Sequence, residues 1–365
     1  METRTFATPF ASGGLIHVVA VGYVLARTRF GGEKAVRVQA PTLRGSLVTK
    51  IVLAFLFACS LGWWPGSAVA QDGLRGAIGD RLRQRLLGTQ GGGDAGQDAT
   101  QTWLKDSKNK VESINIAGLK VSVWRPAKSN GRVPLVIFSH GFHGISTQST
   151  FLTAALAENG YLVLAPNHQD SLSKGLGMNW RPEAGFGQPG QWTDKTYHDR
   201  ADDIRALVKA LHDEEPWSTM IDWSRFALAG HSLGGYTVLG LAGGWPSWKL
   251  PEVKAVLALS PYANPFLPQH RLSAIGIPVM YQGGTRDIGI TPFVKHRGGA
   301  YDLTPSPAYF VEFEKAGHFA WTDLVADHQA NIQYYSIAFL NKHLQGDAMA
   351  DPTRKQPGVA ELRSK

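Results

Sequence analysis

The chain of 365 residues has one cysteine, Cys59, and no dense run of lysine or arginine after residue 70. With no second cysteine, no intramolecular disulfide can form, so the fold depends on its apolar core. The net charge of +8 comes largely from residues 1–70, which hold seven basic and two acidic residues. The rest of the chain is nearly neutral and offers nucleic acid no strongly basic surface, so we expect no nucleic-acid partner.

Long apolar runs are also absent. The apolar stretch at residues 51–64 is shorter than the roughly 20 residues that cross a bilayer. Two basic residues precede this stretch, and the pattern Ala68-Val69-Ala70 follows it, which is typical of an export signal cleaved after Ala70. We therefore expect a secreted or periplasmic protein whose mature chain has no stable membrane span. An uncleaved N-terminal anchor is the alternative.

Composition divides the chain into five segments. Residues 1–46 form an N-terminal extension of uncertain status, and residues 44–70 form the signal peptide or anchor. Residues 71–100 contain Gly91-Gly92-Gly93 and are expected to be a flexible leader. The folded domain is predicted over residues 101–345, and a loose polar tail over residues 346–365.

Within the predicted domain, short apolar runs alternate with helical patterns. Leu135–Phe138 has the continuous apolar character of a buried strand, and Asp199–His212 carries apolar residues on one helical face. A last helix is predicted over residues 322–343. This alternation predicts an α/β fold with a mostly parallel central sheet flanked by helices, and without a large lid domain.

The motif Gly230-x-Ser232-x-Gly234 lies between an apolar strand and a helix of small residues. A nucleophilic serine on a sharp strand-to-helix turn requires small neighbours on both sides. The motif alone is weak in a chain with 41 glycines, but its position favours Ser232 as a nucleophile. An idle serine in a glycine-rich turn is the alternative. The neighbouring His231 is interpreted as a packing residue.

A serine hydroxyl becomes a good nucleophile when a histidine accepts its proton and a carboxylate orients that histidine. In this kind of fold, the acid and then the histidine follow the serine along the chain. Asp287 follows a predicted strand, and His318 follows the last one, so we expect them to be the acid and the base. The alternatives are Asp302 and Asp323 for the acid, and His296, His328 and His343 for the base.

The segment from His140 to Gly144 follows a buried strand and contains two glycines. There we expect the backbone N–H of Phe142 to act with that of Leu233 as the two donors of an oxyanion hole. His140 and His143 also form an H-x-x-H pair, but no third ligand occurs at a usual spacing. We therefore expect neither a metal nor a cofactor, and we interpret His140 as support for the loop.

Five features carry a resemblance to a known family: Phe138–Phe142, Asn167–Ser171, the Ser232 motif, Asp287 and Gly317-His318. Over residues 134–339 the chain resembles the dienelactone hydrolase and platelet-activating-factor acetylhydrolase branch of the α/β-hydrolases, which also includes bacterial polyester-cleaving cutinases. The resemblance implies calcium-independent ester hydrolysis but does not transfer a substrate, because the loops that select it differ. As the partner we expect a small-molecule or lipid-like ester. Dienelactone hydrolases proper use a cysteine nucleophile, so the serine at position 232 does not imply lactone chemistry.

The aromatic residues Trp180, Trp192 and Tyr262 lie in segments predicted to border the site, and we expect them to bind the substrate. Packing of a surface loop is the alternative. Three further hypotheses stay open: a serine peptidase or amidase, a haloperoxidase or lyase on the same scaffold, and a non-catalytic binding module. The oligomeric state is left open.

Overall fold

A computed structural model describes residues 111–126, 131–174 and 185–365, all of which belong to one compact unit. The predicted N-terminal extension, signal, leader and Trp180 lie outside the described residues. Within these three ranges, no helix has the length and apolar character needed to cross a bilayer.

The described residues contain nine strands that form one sheet in the order β1-β2-β4-β3-β5-β6-β7-β8-β9. The strands from β3 to β8 pair in parallel, whereas β1, β2 and β9 pair antiparallel at the two sides. The strands are β1 Glu112–Ile116, β2 Leu119–Trp124, β3 Val133–Ser139, β4 Leu162–Pro166, β5 Ile221–His231, β6 Ala255–Leu259, β7 Val279–Gly284, β8 Ala308–Phe313 and β9 Val359–Ser364.

Crossover segments connect the parallel strands, because consecutive parallel strands cannot be joined by a tight turn, and most of these segments contain an α-helix. The prediction of a mostly parallel sheet flanked by helices is confirmed. The α-helices of the described ranges are α1 Thr150–Glu158, α2 His198–Asp213, α3 Trp217–Met220, α4 Leu233–Leu239, α5 Thr291–Lys295, α6 Ala300–Leu303 and α7 Gln329–Leu340.

The core has two parts, one on each face of the sheet, and β3 contributes to both. Leu135 and Ile137 belong to one buried cluster, and Val136 and Phe138 belong to the other. All four side chains are fully buried. Successive side chains of a strand point to opposite faces, so a strand covered on both sides is apolar at every position. This is why the run Leu135–Phe138 identified a central strand.

The C-terminal segment differs from the expected loose tail, because residues 359–364 form β9 at the side of the sheet. The N–H and C=O groups of β8 would otherwise have no partners on that side. Val359 is buried against the core, while Glu361 and Arg363 form an ion pair on the partly exposed face. An edge strand that is partly exposed can be as polar as an unstructured tail. Composition alone therefore did not distinguish the two.

The last long helix is also shorter than predicted, since α7 begins at Gln329 and not near residue 322. The carboxylate of Asp323 accepts the backbone N–H groups of Thr150 and Phe151, at 2.9 and 3.0 Å. Asp323 therefore caps α1, an element distant in sequence, and does not begin α7. The residues between Asp323 and Gln329 form turns.

Candidate active site

Ser232 lies on the turn between β5 and α4, at the carboxyl edge of the sheet. Its φ of 56° and ψ of −116° are strained for a residue with a side chain. Hydrogen bonds hold this conformation: the Ser232 N–H donates to the carbonyl of Leu259 at 3.0 Å. The Ser232 carbonyl accepts the N–H groups of Tyr236 and Tyr262 at 3.1 and 3.0 Å. The turn is therefore fixed from both sides.

The two glycines of the motif are required by close backbone packing. A Cβ atom on Gly230 would lie 2.3 Å from the carbonyl oxygen of Gly234. A Cβ atom on Gly234 would lie 2.0 Å from the carbonyl oxygen of Ser139, at the end of β3. Because both obstacles are backbone atoms, neither position accepts a side chain without displacement of the sheet.

The structure brings Ser232, His318 and Asp287 together, although they follow three different strands. The Nε2 atom of His318 lies 2.9 Å from the Oγ atom of Ser232. On the other side of the ring, Nδ1 lies 3.1 Å from an Oδ1 oxygen of Asp287. The carboxylate is buried, whereas a quarter of the His318 side chain is exposed. This is the geometry of a serine, a base and an orienting acid.

Two hydroxyl groups complete the surroundings of the carboxylate. Ser260 donates to Oδ2 of Asp287 at 2.6 Å, and Thr291 donates to the same oxygen at 2.9 Å. Burial raises the pKa of Asp287, but the hydrogen bond and the charge of His318, with these hydroxyls, outweigh it and lower the pKa. The carboxylate is therefore ionised at neutral pH.

Sequence reasoning missed Ser260, whose Oγ also lies 2.8 Å from Nδ1 of His318. The only signal was its position directly after a buried strand, which it shares with the other site residues. The alternative acids and bases take other roles. Asp302 accepts the backbone N–H of Gly298, and Asp323 caps α1. The ring of His296 hydrogen-bonds to the carbonyl of Arg297, and the ring of His343 hydrogen-bonds to the hydroxyl of Tyr309. His328 precedes the first residue of α7.

The loop predicted to supply an oxyanion donor adjoins Ser232. A Cβ atom on Gly141 would lie 3.5 Å from Cβ of Ser232, and Phe142 is the next residue. Leu233 is the first residue of α4, and the N–H groups of a first helical turn have no acceptor within the helix. Leu233 thus directly follows the serine in the chain, and Gly141, the residue before Phe142, lies beside the serine in space. The role of the two N–H groups as oxyanion donors stays a prediction.

A buried ion pair stabilises the loop that begins at His140. The guanidinium of Arg200 donates to both carboxylate oxygens of Asp170, at 3.0 and 2.8 Å, and both side chains are fully buried. It also donates to the carbonyls of His140 and Gly141, at 2.8 and 3.0 Å. Burial raises the pKa of Asp170, but the charge of Arg200 outweighs it and holds the pKa well below the usual range. The carboxylate of Asp170 therefore stays ionised.

The two histidines of the H-x-x-H pair are held within the same loop. The ring of His140 donates to the carbonyl of Gly141 and accepts the N–H of His168, and the ring of His143 donates to the carbonyl of Asp170. Across the described part of the chain, no three His, Cys, Asp or Glu residues are grouped as a metal ion would require.

Comparison with known proteins agrees with this architecture. A family model described as "Serine aminopeptidase, S33" matches residues 132–278, a stretch that contains Ser232 and ends before Asp287 and His318. With the parallel sheet, this match decides the fold class. The chain has the α/β-hydrolase fold.

Several cutinases are similar to this chain at low identity. Cutinase 1 of Thermobifida cellulosilytica is 24% identical over 260 residues, which cover 70% of this chain and 85% of that protein. A cutinase of Thermobifida fusca (strain YX) is 24% identical over 260 residues, covering 70% and 74%. Cutinase 2 of Thermobifida cellulosilytica is 25% identical over 225 residues, covering 60% and 72%.

The aromatic residues expected to bind substrate are more deeply packed than a pocket lining would be. Trp192 and Tyr262 are only 3% and 5% exposed, and their ring centroids lie 4.9 Å apart. Phe186 contacts both rings and also packs edge to face on Phe142 at 5.2 Å. Little of Trp192 or Tyr262 is left for a ligand, whereas Phe142 and Phe186 stay half-buried. The packing alternative therefore fits Trp192 and Tyr262 better.

Proposed function

We propose that this α/β-hydrolase is a serine hydrolase that cleaves carboxylic esters through a covalent acyl-enzyme intermediate. The observation that carries the proposal is the hydrogen-bonded path from Ser232 Oγ through the imidazole of His318 to the carboxylate of Asp287. Each of the three side chains follows a separate strand, so local sequence does not force them together. A non-catalytic module would have no need of this path or of the strained serine.

In the first half of the proposed reaction, the hydroxyl of Ser232 attacks the ester carbonyl while His318 Nε2 accepts its proton. Asp287 keeps the Nδ1–H of His318 oriented and stabilises the imidazolium that forms. The N–H groups of Phe142 and Leu233 donate to the negatively charged oxygen of the tetrahedral intermediate. His318 then protonates the leaving alkoxide, which departs as an alcohol.

In the second half, water attacks the acyl group on Ser232, and His318 accepts a proton from that water. Collapse of the second tetrahedral intermediate returns a proton from His318 to the serine oxygen and releases the carboxylic acid. One water is consumed, and one acid and one alcohol are released. No cofactor takes part in either half of this cycle.

Two features support an ester with an apolar portion as the substrate. The relatives are named cutinases, and the half-buried rings of Phe142 and Phe186 lie beside the proposed oxyanion donor. We further propose export of the protein, for which the support is the sequence pattern at residues 44–70. N-terminal sequencing of the exported protein should begin at Gln71, and an intact N-terminus would refute cleavage.

Amide hydrolysis is the second candidate function, because the matching family model is described as a serine aminopeptidase. It would use the same three residues, with an amine as the leaving group. The same substrate tests bear on the subfamily, which we propose to lie among the dienelactone hydrolases, the acetylhydrolases and the cutinases.

The first experiment asks whether Ser232 is the nucleophile. A fluorophosphonate probe should label the wild-type protein, and the label should disappear in Ser232→Ala. Ser336→Ala is the matched control, because Ser336 is equally a buried serine but its hydroxyl accepts from Gln282, away from the site. An unlabelled wild type, or a label that survives in Ser232→Ala, would overturn the proposal.

The second experiment separates esters from amides. Rates are measured on p-nitrophenyl esters of increasing acyl length and on aminoacyl p-nitroanilides, with Ser232→Ala as the background. Higher kcat/KM on the esters supports the proposal, and the best acyl length reports the size of the apolar surface. A preference for the anilides would favour the peptidase.

A further inference from the structure

The side chain of Gln148 connects the loop that carries the proposed oxyanion donor with the residue before the nucleophile. Its Oε1 atom accepts the N–H of Gly141 at 2.9 Å, and its Nε2 atom lies 3.2 Å from Nδ1 of His231. The other ring nitrogen of His231, Nε2, lies 2.8 Å from the carbonyl oxygen of His318. A chain of three hydrogen bonds therefore joins the oxyanion loop to the loop that carries the base.

Only one placement of the protons satisfies this chain. The N–H of Gly141 can only donate, so the amide oxygen of Gln148 faces it and the amide nitrogen faces His231. The Nδ1 atom of His231 must then accept. The carbonyl of His318 can only accept, so Nε2 of His231 carries the proton. The two ends together therefore require the neutral tautomer of His231 that is protonated at Nε2.

The surroundings keep His231 in that form. Its side chain is almost completely buried, and burial, followed by the charge of His318, lowers the pKa of His231 to about 3. Its ring centroid lies 5.0 Å from that of His318 and stacks at 6.3 Å on Trp321. The ring is therefore buried and packed against two neighbouring rings.

The segment that carries His318 also contacts the backbone of Gln148. Its backbone carbonyl accepts the N–H of Asp323 at 2.9 Å, and Asp323 follows His318 by five residues. Gln148 and His231 also pack closely against Gly141. A Cβ atom on this glycine would lie 3.3 Å from Oε1 of Gln148 and 3.2 Å from Nδ1 of His231. The two loops are thus coupled by side chain and by backbone.

From this geometry we infer that Gln148 and His231 are positioning residues that hold the oxyanion loop and the His318 loop in one catalytic arrangement. The inference rests on the proposed function. Neither side chain reaches the reacting atoms in this role. Each acts by fixing a backbone group, Gln148 the N–H of Gly141 beside Phe142, and His231 the carbonyl of His318.

The test uses two variants that remove one link each and keep the volume, Gln148→Met and His231→Phe. Removal of a direct oxyanion donor costs on the order of 100-fold to 1,000-fold in kcat. A group that acts through the backbone should cost less, so we expect each variant to lower kcat about 10-fold to 100-fold with little change in KM. Either substitution interrupts the same series of hydrogen bonds. The double variant should therefore be no slower than the slower single variant.

Gln333→Met is the matched control, since Gln333 is a half-buried glutamine that donates to the carbonyl of Phe151 and touches none of the site residues. Its kcat should equal that of the wild type. Multiplicative losses in the double variant, an effect on KM alone, or a wild-type kcat in Gln148→Met would each overturn the inference. The proposed function would stand in those cases, because it is tested separately by the labelling of the wild type and Ser232→Ala and by the comparison of esters with anilides.

A second measurement does not depend on the rate. With 15N-labelled histidine, NMR of the wild type should report a neutral His231 protonated at Nε2, identified by the loss of its signals in His231→Phe. In Gln148→Met the Nδ1 resonance should shift, because its donor is gone. A His231 that is protonated at Nδ1 in the wild type would refute the chain of hydrogen bonds.

Discussion

Ser260 provides a direct measure of how far the proposed acid depends on its surroundings. The Ser260→Ala substitution removes one hydroxyl and nothing else, because alanine keeps the Cβ atom and the positive φ of 42° at this position. The hydroxyl donates to Asp287 at 2.6 Å and lies 2.8 Å from Nδ1 of His318. Both Ser260 and Asp287 are buried, so water does not replace the lost donor.

The size of the effect follows from these contacts. A buried hydrogen bond to a charged group contributes about 1.5–3 kcal/mol. Thr291 still donates to the same carboxylate oxygen at 2.9 Å, so the carboxylate keeps a partner and the lower part of this range applies. A loss of about 1.4 kcal/mol in the transition state lowers the rate about tenfold. We therefore expect kcat to fall about tenfold, with KM nearly unchanged.

The assay is hydrolysis of a p-nitrophenyl ester under saturating and limiting substrate, with thermal unfolding measured in parallel. Ser336→Ala again serves as the control, since it removes a buried hydroxyl that accepts from Gln282 and does not donate to Asp287. A kcat for Ser260→Ala equal to that of the wild type would refute the reasoning. A loss of stability in Ser260→Ala without a change in kcat would assign the hydroxyl to folding alone.

Two further predictions concern stability. Burial raises the pKa of Asp323 to about 6, above its value in the unfolded chain, so stability is lost as the pH rises through the folded-state pKa. Between pH 4 and pH 7, the free energy of unfolding of the wild type should therefore fall by about 2 kcal/mol relative to Asp323→Asn, measured by urea denaturation; identical pH profiles would contradict this. Gly234→Ala should cost more than about 2 kcal/mol, because its Cβ would meet the Ser139 carbonyl at 2.0 Å. Gly276→Ala, whose Cβ meets nothing within 4 Å, should be nearly neutral in the same denaturation series, and equal losses would show that backbone contact is not the cause.

The central strands could be predicted because burial on both faces makes every residue of a strand apolar. The run Leu135–Phe138 and the strand before Ser232 were recognisable for this reason, and each ends at a glycine-rich or polar turn. Since parallel strands end at one edge, the order of Ser232, Asp287 and His318 along the chain was enough to propose their meeting. The fold class followed from the same alternation.

The C-terminal edge of the sheet could not be predicted in this way. β9 has the polar composition of a tail, and its pairing with β8 depends on an open strand edge that lies about 50 residues earlier in the sequence. The burial of Trp192 and Tyr262 likewise depends on their packing against Phe186, which no local pattern encodes.

The sequence by itself determined which segments are strands and helices, and which residues end the strands at the site, because these depend on the periodicity of neighbouring residues. Only the tertiary structure decided which polar groups meet there. Ser260 joins the carboxylate of Asp287, Asp323 caps α1, and Gln148 links two loops through His231. Each of these contacts joins elements that are distant in the chain, and their distances are set by how the two layers of helices pack on the sheet.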